Sequence, residues 1–154
     1  MNKFLDEAKK LATLSSLDGI VHIYDSFEAN HTAYIVMEYL EGETLTAFMK
    51  REKKIPEEQA VDIVVPILQT LEDVHRHGII HRDIAPDNIF LAKGQDGKTH
   101  VKLIDFGASR YASTSHSKSL TVLIKPGYSP AEQYQSNGEQ GPFTDVYAVG
   151  AVLY

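Results

Sequence analysis

Three side chains in the middle of the chain have the types and spacing that phosphoryl transfer needs. Residues 81–88 read HRDIAPDN, so the Asn88 amide follows the Asp83 carboxylate by five residues, and Asp105 comes seventeen residues after Asn88. Such a reaction requires one group that orients the attacking hydroxyl and accepts its proton. It also requires hard oxygen ligands that hold Mg²⁺ against the phosphates. Two carboxylates and an amide at this spacing are therefore suited to phosphoryl transfer.

The elements on either side of this loop can be predicted from periodicity. Pro56 at the first helical position, followed by two acidic residues, is typical of a helix start, and Gly78 is typical of a helix end. Pro66 inside this helix should kink it. Short strands are expected at 89–92 and 100–104. The predicted apolar stripe of the helix consists of Val61, Val64, Val65, Leu68, Leu71 and Val74.

The N-terminal part of the chain alternates between helical and strand patterns. Apolar residues at helical spacing predict a helix over 2–14. The β-rich runs 20–27 and 32–39 predict a hairpin with its turn at 28–31, and Gly42 should break the second run.

The remaining segments are a short helix expected over 45–51 and a long polar stretch over 108–141 without periodicity, which predicts a functional loop. A last helix is expected to start at Thr144. Its predicted buried residues are Val146, Val149, Val152 and Leu153.

These motifs resemble those of eukaryotic-like serine/threonine protein kinases, and the variants IAPDN and PGYSPAEQY look more like bacterial members than animal ones. The resemblance implies the α+β, bilobal protein-kinase fold. It implies Asp83 as the catalytic base, Asn88 and Asp105 as Mg²⁺ ligands, and His81 and Phe106 as members of a hydrophobic spine. ATP and Mg²⁺ are the implied cofactors, and a protein serine or threonine is the implied substrate.

The first half of the chain follows the family in order. Residues 4–8 resemble its C helix, and residues 36–42 (VMEYLEG) resemble the hinge between the two lobes. The residues that the resemblance places around ATP are Met37 as gatekeeper, Glu38 and Leu40 through their backbones, Phe90, and Glu7 as partner of the ATP-binding lysine.

The second half follows the family as well. Residues 126–132 (PGYSPAE) resemble the end of the activation segment, with the proline and alanine reversed and Glu132 as a structural glutamate. Residues 145–150 (DVYAVG) resemble the start of the F helix, whose Asp145 braces the catalytic loop. The Ser and Thr hydroxyls within 113–121 are either phosphorylation sites, whose phosphates would pair with Arg82, or part of a segment that is merely polar.

One departure concerns charge. The family usually carries a lysine two residues after the catalytic aspartate, where it balances the charge of the transferring phosphate. Ala85 stands there in this chain, and Lys125 stands where the family has a threonine that packs against that lysine. We expect that Lys125 delivers its ammonium group beside Asp83; the alternative is a solvent-facing loop lysine.

A second departure concerns the phosphate-binding region. No glycine precedes Gly19, so a glycine-rich loop has no counterpart ahead of the 2–14 helix, and no strand lysine precedes Glu7. The chain is therefore expected to be a kinase domain truncated at both ends. Residues 1–40 would be the remainder of the small lobe and hinge, and 41–154 an incomplete large lobe. We expect exposed apolar surface and little or no activity from these residues alone.

Composition limits the classes of partner. A net charge of −6 offers no electrostatic case for nucleic acid, and the absence of cysteine excludes disulfides and thiolate metal sites. No apolar run approaches the roughly 20 residues of a membrane span. A cytoplasmic location is the default expectation, with any membrane anchor lying outside this chain.

Two other functions stay open at this point. Ala85 and the missing phosphate loop favour a pseudokinase or scaffold that binds partners without turnover. A small-molecule phosphotransferase would share the HxDxxxxN loop, although the long hydroxyl-rich segment favours protein substrates.

Overall fold

A computed structural model of the protein describes most of the chain, namely residues 13–14, 16–106, 110–111, 124–135 and 137–154. The predicted C-like helix with Glu7, the hydroxyls of 113–121 and Gly107 lie outside these ranges. None of the helices within them combines the length and apolar character that a bilayer span requires.

The elements mix helices with small antiparallel sheets, which confirms the α+β class. They are, in chain order, β1 (Ile23–Ala29), β2 (Thr32–Met37), β3 (Gly42–Thr44), α1 (Leu45–Glu52), α2 (Glu57–Arg76), β4 (Ile79–Ile80), a 3₁₀ turn (Pro86–Asn88), β5 (Ile89–Lys93), β6 (Thr99–Leu103), β7 (Arg110–Tyr111), α3 (Ala131–Tyr134) and α4 (Pro142–Leu153).

Strands β1 and β2 form an antiparallel hairpin. Its turn is tighter than the predicted 28–31, because only Asn30 and His31 lie outside the strands, with φ of 51° and 59°. A two-residue turn with both φ positive matches the twist of the strands, so the ladder continues through Ala29.

The second sheet has the order β3-β5-β6, and β4 pairs separately with β7. Gly42 was predicted to break a strand, but it is the first residue of β3. Its φ is +146°, and a Cβ there would lie 2.0 Å from the Leu91 carbonyl oxygen. Glycine is therefore required for the close approach of β3 to β5 rather than for a break.

The buried face of helix α2 overlaps the predicted apolar stripe only in part, since Val64, Leu71 and Val74 are buried. The helix starts at Glu57, with Pro56 as its N-cap, and is continuous through Pro66. The other three residues of that stripe, Val61, Val65 and Leu68, are 48%, 43% and 39% exposed. The buried face is shifted around the helix from the predicted stripe and packs towards α4, β4 and β6. Its buried residues are Ile63, Val64, Ile67, Thr70, Leu71 and Val74.

Helix α4 begins at Pro142, two residues before the predicted start, so Thr144 and Asp145 lie buried in its first turn. Val146 and Leu153, predicted as buried, are exposed. Helix α3 is short and lies within the stretch predicted as loop.

The hairpin is tied to the second sheet at its β6 edge. Val21 N donates to Leu103 O at 3.1 Å, and Leu103 N donates to Gly19 O at 2.8 Å. The predicted lobe boundary after residue 40 falls between the two sheets and stays a prediction. Apolar side chains are exposed on both sides of it, as expected. They include Tyr24, Phe27, Tyr34, Val36 and Met37 on the hairpin, and Phe143, Val146 and Tyr147 on α4.

Candidate active site

The loop between β4 and β5 carries the predicted chemistry, and a buried carboxylate on α4 holds its backbone. Asp145 is fully buried and accepts hydrogen bonds from His81 N at 2.9 Å, Arg82 N at 2.7 Å and His75 Nε2 at 2.7 Å. These bonds accompany a left-handed backbone at Arg82, whose φ is 69°. Such a conformation persists in a non-glycine residue only where its surroundings enforce it.

Within this loop the Asp83 carboxylate is held from two sides. Asn88 Nδ2 donates to Asp83 Oδ2 and to Asp83 O, each at 2.8 Å. Lys125 Nζ lies 3.4 Å from Asp83 Oδ1. Ala85, which stands where the family carries lysine, is buried. The structure therefore brings Lys125 to the predicted place, while its role in turnover stays a prediction.

His81 lies in the core beneath Asp83. Its ring centroid is 4.4 Å from that of Phe106, and both side chains are fully buried, as members of a spine would be. Asp83 N donates to His81 Nδ1 at 3.3 Å. Burial lowers the pKa of His81 below its ordinary value, although the carboxylates of Asp145 and Asp83 act in the opposite direction. The imidazole is therefore neutral and serves as a packing and accepting group.

A backbone hydrogen bond holds the segments of the two predicted metal ligands, Asn88 and Asp105, next to each other. Asp105 follows β6 with a left-handed φ of 64° and is exposed, and Ile104 N donates to Asn88 O at 3.0 Å. Because Asn88 uses its amide nitrogen on Asp83, its side-chain oxygen is the atom suited to a cation. No cluster of three or more His, Asp or Glu ligands occurs among the described residues. Mg²⁺ does not need one, since it is commonly held by one or two protein oxygens together with phosphates and water.

The four predicted ATP-site residues that the structure describes, all but Glu7, lie at the junction of the hairpin and the second sheet. Met37 ends β2, and Phe90 lies half-buried in β5. Glu38 N donates to His22 O at 2.9 Å, so only the carbonyl of Glu38 could bond an adenine. Leu40 is half-buried in the linker to β3.

The Glu38 side chain is not directed at a ligand but ties the linker to β6. Its Oε1 accepts from Lys102 Nζ at 2.5 Å and from His22 N at 2.8 Å. Burial by itself would raise the pKa of Glu38, but these bonds outweigh it and the pKa lies below its ordinary value. Sequence reasoning missed Lys102, because a lysine inside a short strand does not by itself indicate its partner.

The segment after Lys125 also contacts the loop, through residues that the sequence did not single out. Gln133 Nε2 donates to Arg82 O at 2.8 Å, and Arg82 Nε donates to Gln140 Oε1. Glu132 accepts from Thr144 Oγ1 at 3.1 Å, in keeping with the structural role expected of it.

A cavity of about 970 Å³ lies elsewhere, between the linker to β3, α1, α2 and the second sheet. Leu40 lines it, but Asp83, Asn88, Asp105 and Lys125 do not. The polar cluster around Asp83, rather than this cavity, is therefore the candidate centre of chemistry.

Comparison with known proteins identifies the family to which the chain is similar. The model of the protein kinase domain family matches residues 1–154. Serine/threonine-protein kinase PknA of Nostoc is 41% identical over 96% of the chain, PknB of Mycobacterium leprae 37% over 99%, and PknL of Mycobacterium tuberculosis 33% over 100%. The chain spans 27%, 24% and 37% of the lengths of these three proteins.

Members of this family use ATP and a divalent cation. The motifs that predicted the resemblance to bacterial serine/threonine kinases lie within the matched range. The chain therefore belongs to the protein kinase domain family, and its predicted resemblance to bacterial serine/threonine protein kinases is confirmed over its whole length.

Proposed function

We propose that this chain is the catalytic middle of a protein kinase that transfers the γ-phosphoryl group of ATP to serine or threonine hydroxyls of proteins. The observation that carries the proposal is the Asp83 carboxylate, which Asn88 holds at one oxygen and the Lys125 ammonium approaches at the other. A carboxylate oriented in this way is suited to accept the proton of an attacking hydroxyl as its oxygen bonds to phosphorus.

Lys125 is proposed to supply the positive charge that Ala85 cannot. Its Nζ lies within Coulombic range of Asp83, and its side chain is about one-third exposed, so a phosphate could also reach it. Charge beside the transferring group stabilises the transition state more than the ground state, because negative charge develops there. This arrangement favours an active kinase over the pseudokinase suggested by Ala85.

Asn88 and Asp105 are proposed to hold Mg²⁺. Met37, Glu38, Leu40 and Phe90 are proposed to contact ATP, and Glu7 to pair with the ATP-binding lysine. Bound Mg²⁺ would neutralise phosphate charge during transfer. Protein substrates are proposed because the relatives are serine/threonine-protein kinases. A cytoplasmic catalytic domain fits these assignments. The 154 residues alone are proposed to transfer phosphate poorly, since they lack a glycine-rich loop ahead of Gly19.

The test is phosphoryl transfer from ATP to casein, with Mg²⁺, by the full-length natural protein and by the 154-residue chain. Asp83→Asn should lower kcat of the full-length protein by about 10²–10⁴-fold, the usual contribution of a general base. Asp62→Asn is the matched control, because Asp62 is exposed on α2 away from the loop. Turnover that survives Asp83→Asn would refute the proposal, and ATP binding without turnover would indicate the pseudokinase.

A further inference from the structure

The peptide bond between Arg82 and Asp83 is held at both of its polar ends. Its carbonyl, Arg82 O, accepts from Gln133 Nε2 at 2.8 Å, and its N–H, on Asp83, donates to His81 Nδ1 at 3.3 Å. Because a peptide unit is planar, two such bonds fix its rotation. They therefore also hold in place the N–Cα bond of Asp83, and with it the Cα that carries the carboxylate side chain.

This restraint acts on a strained part of the loop. Arg82 has a φ of 69°, and Asp145 accepts from the N–H groups of His81 and Arg82. Asp145 thus controls the peptide units on the N-terminal side of Arg82, whereas Gln133 holds the unit on its C-terminal side. A left-handed non-glycine residue keeps its conformation only when its surroundings over-determine it, and here contacts restrain it on both sides.

Gln133 makes this contact from within the core. The side chain is 3% exposed and lies on α3. Burying an amide is unfavourable unless it is hydrogen-bonded, so an apolar residue would serve better if only space had to be filled. The amide is instead directed at the one carbonyl that adjoins Asp83.

The same segment carries the second contact with Asp83. Lys125 and Gln133 are connected by a turn in which Tyr128 N and Ser129 N both donate to Lys125 O at 3.0 Å. The segment therefore reaches Asp83 twice, through the Lys125 ammonium at the carboxylate and through the Gln133 amide at the backbone.

We propose that Gln133 is a positioning residue for phosphoryl transfer, which couples the placement of the activation segment to the orientation of Asp83 by holding the Arg82 carbonyl. The inference rests on the proposed function, in which Asp83 is the base. Gln133 touches neither substrate nor nucleotide in this scheme and acts only through the peptide bond.

The first test compares Gln133→Met with wild type in the full-length natural protein, using ATP, Mg²⁺ and casein. Methionine keeps the length and volume of the side chain but removes the donor. We expect kcat per folded molecule to fall about ten- to a hundredfold, as small misplacements of reacting groups do, with the KM for ATP within about twofold. Gln135→Met, at an exposed position just after α3, is the matched control and should change neither value.

A second variant separates positioning from packing. In Gln133→Glu the ionised carboxylate would oppose the Arg82 carbonyl, whereas the protonated acid could donate to it as the amide does. The ratio of its kcat to that of wild type should therefore rise as pH falls, and burial should bring this rise to accessible pH by raising the pKa of the new carboxyl. A packing role alone gives a ratio that does not change with pH.

The outcomes separate the two proposals. An unchanged kcat per folded molecule in Gln133→Met, or a pH-independent ratio in Gln133→Glu, would overturn the positioning role, as would failure of both variants to fold. In the Asp83→Asn background, Gln133→Met should cause no further loss of kcat, because the residue that Gln133 positions is already disabled. If the two substitutions instead lowered kcat by the product of their separate effects, the inference would be overturned. Wild-type turnover that does not depend on Asp83 would refute the proposed function, and this inference with it.

Discussion

Replacing Asp145 by asparagine should destabilise the protein through the catalytic loop. The carboxylate receives three donors with two oxygens: Oδ2 accepts from His81 N and His75 Nε2, and Oδ1 accepts from Arg82 N. An asparagine can place its oxygen at the Oδ2 position, but its NH₂ group then faces Arg82 N. One buried N–H left unpaired costs about 1–3 kcal/mol, and the two remaining bonds weaken because their acceptor is now neutral. We expect a total loss of about 2–5 kcal/mol.

The measurement is thermal and urea unfolding followed by circular dichroism. For a chain of this size the loss corresponds to a fall in Tm of roughly 5–15 °C. Asp62→Asn, at an exposed position on α2, should stay within about 0.5 kcal/mol of wild type. A double-mutant cycle with His75→Phe should be non-additive, because the two side chains share a hydrogen bond. If Asp145→Asn were as stable as Asp62→Asn, the argument that this carboxylate holds the loop would be wrong.

Three further predictions follow from the site. Lys125→Ala should lower kcat about ten- to a thousandfold, because it removes the ammonium beside Asp83. Adding Ala85→Lys should restore part of the loss if a lysine at position 85 supplies the same charge. Steady-state kinetics without any rescue would count against the charge swap. Burial keeps the pKa of the His81 imidazole below its ordinary value of 6.5. The unfolded chain therefore binds more protons than the folded chain, and the free energy of unfolding should decline as pH drops below about 6.5. His81→Phe should flatten this decline, measured by urea unfolding at several pH values between about 5.5 and about 7.5. An unchanged dependence of stability on pH would show that His81 does not cause the decline. Lys102→Met should raise the KM for ATP severalfold with little change in kcat, because it removes the ion pair with Glu38 and loosens the linker between β2 and β3. An unchanged KM would show that this ion pair does not order the linker.

The predictions that succeeded from sequence depend on local signals. The strand pair after the HRDIAPDN run and the helix end at Gly78 were predicted from short patterns whose meaning is set by neighbouring residues. A β-hairpin or a helix end depends on backbone propensity over a few positions, and these can be read directly. The family resemblance also led to the prediction that Lys125 lies beside Asp83, because it implied a fold in which these two residues, far apart in the chain, come together.

Tertiary packing decided what local patterns leave open. Helix α2 has apolar residues on more than one face, and periodicity does not say which face meets α4 and β4. Val65 is therefore exposed while Ile67 is buried.

The same limit applies to Gln133 and Lys102, whose neighbours in sequence give no sign that they contact Arg82 O and Glu38. The sequence by itself determined which groups could do the chemistry and on which elements they lie. Only the tertiary structure decided which side chains orient those groups, because hydrogen bonds between residues far apart in the chain depend on how the elements pack.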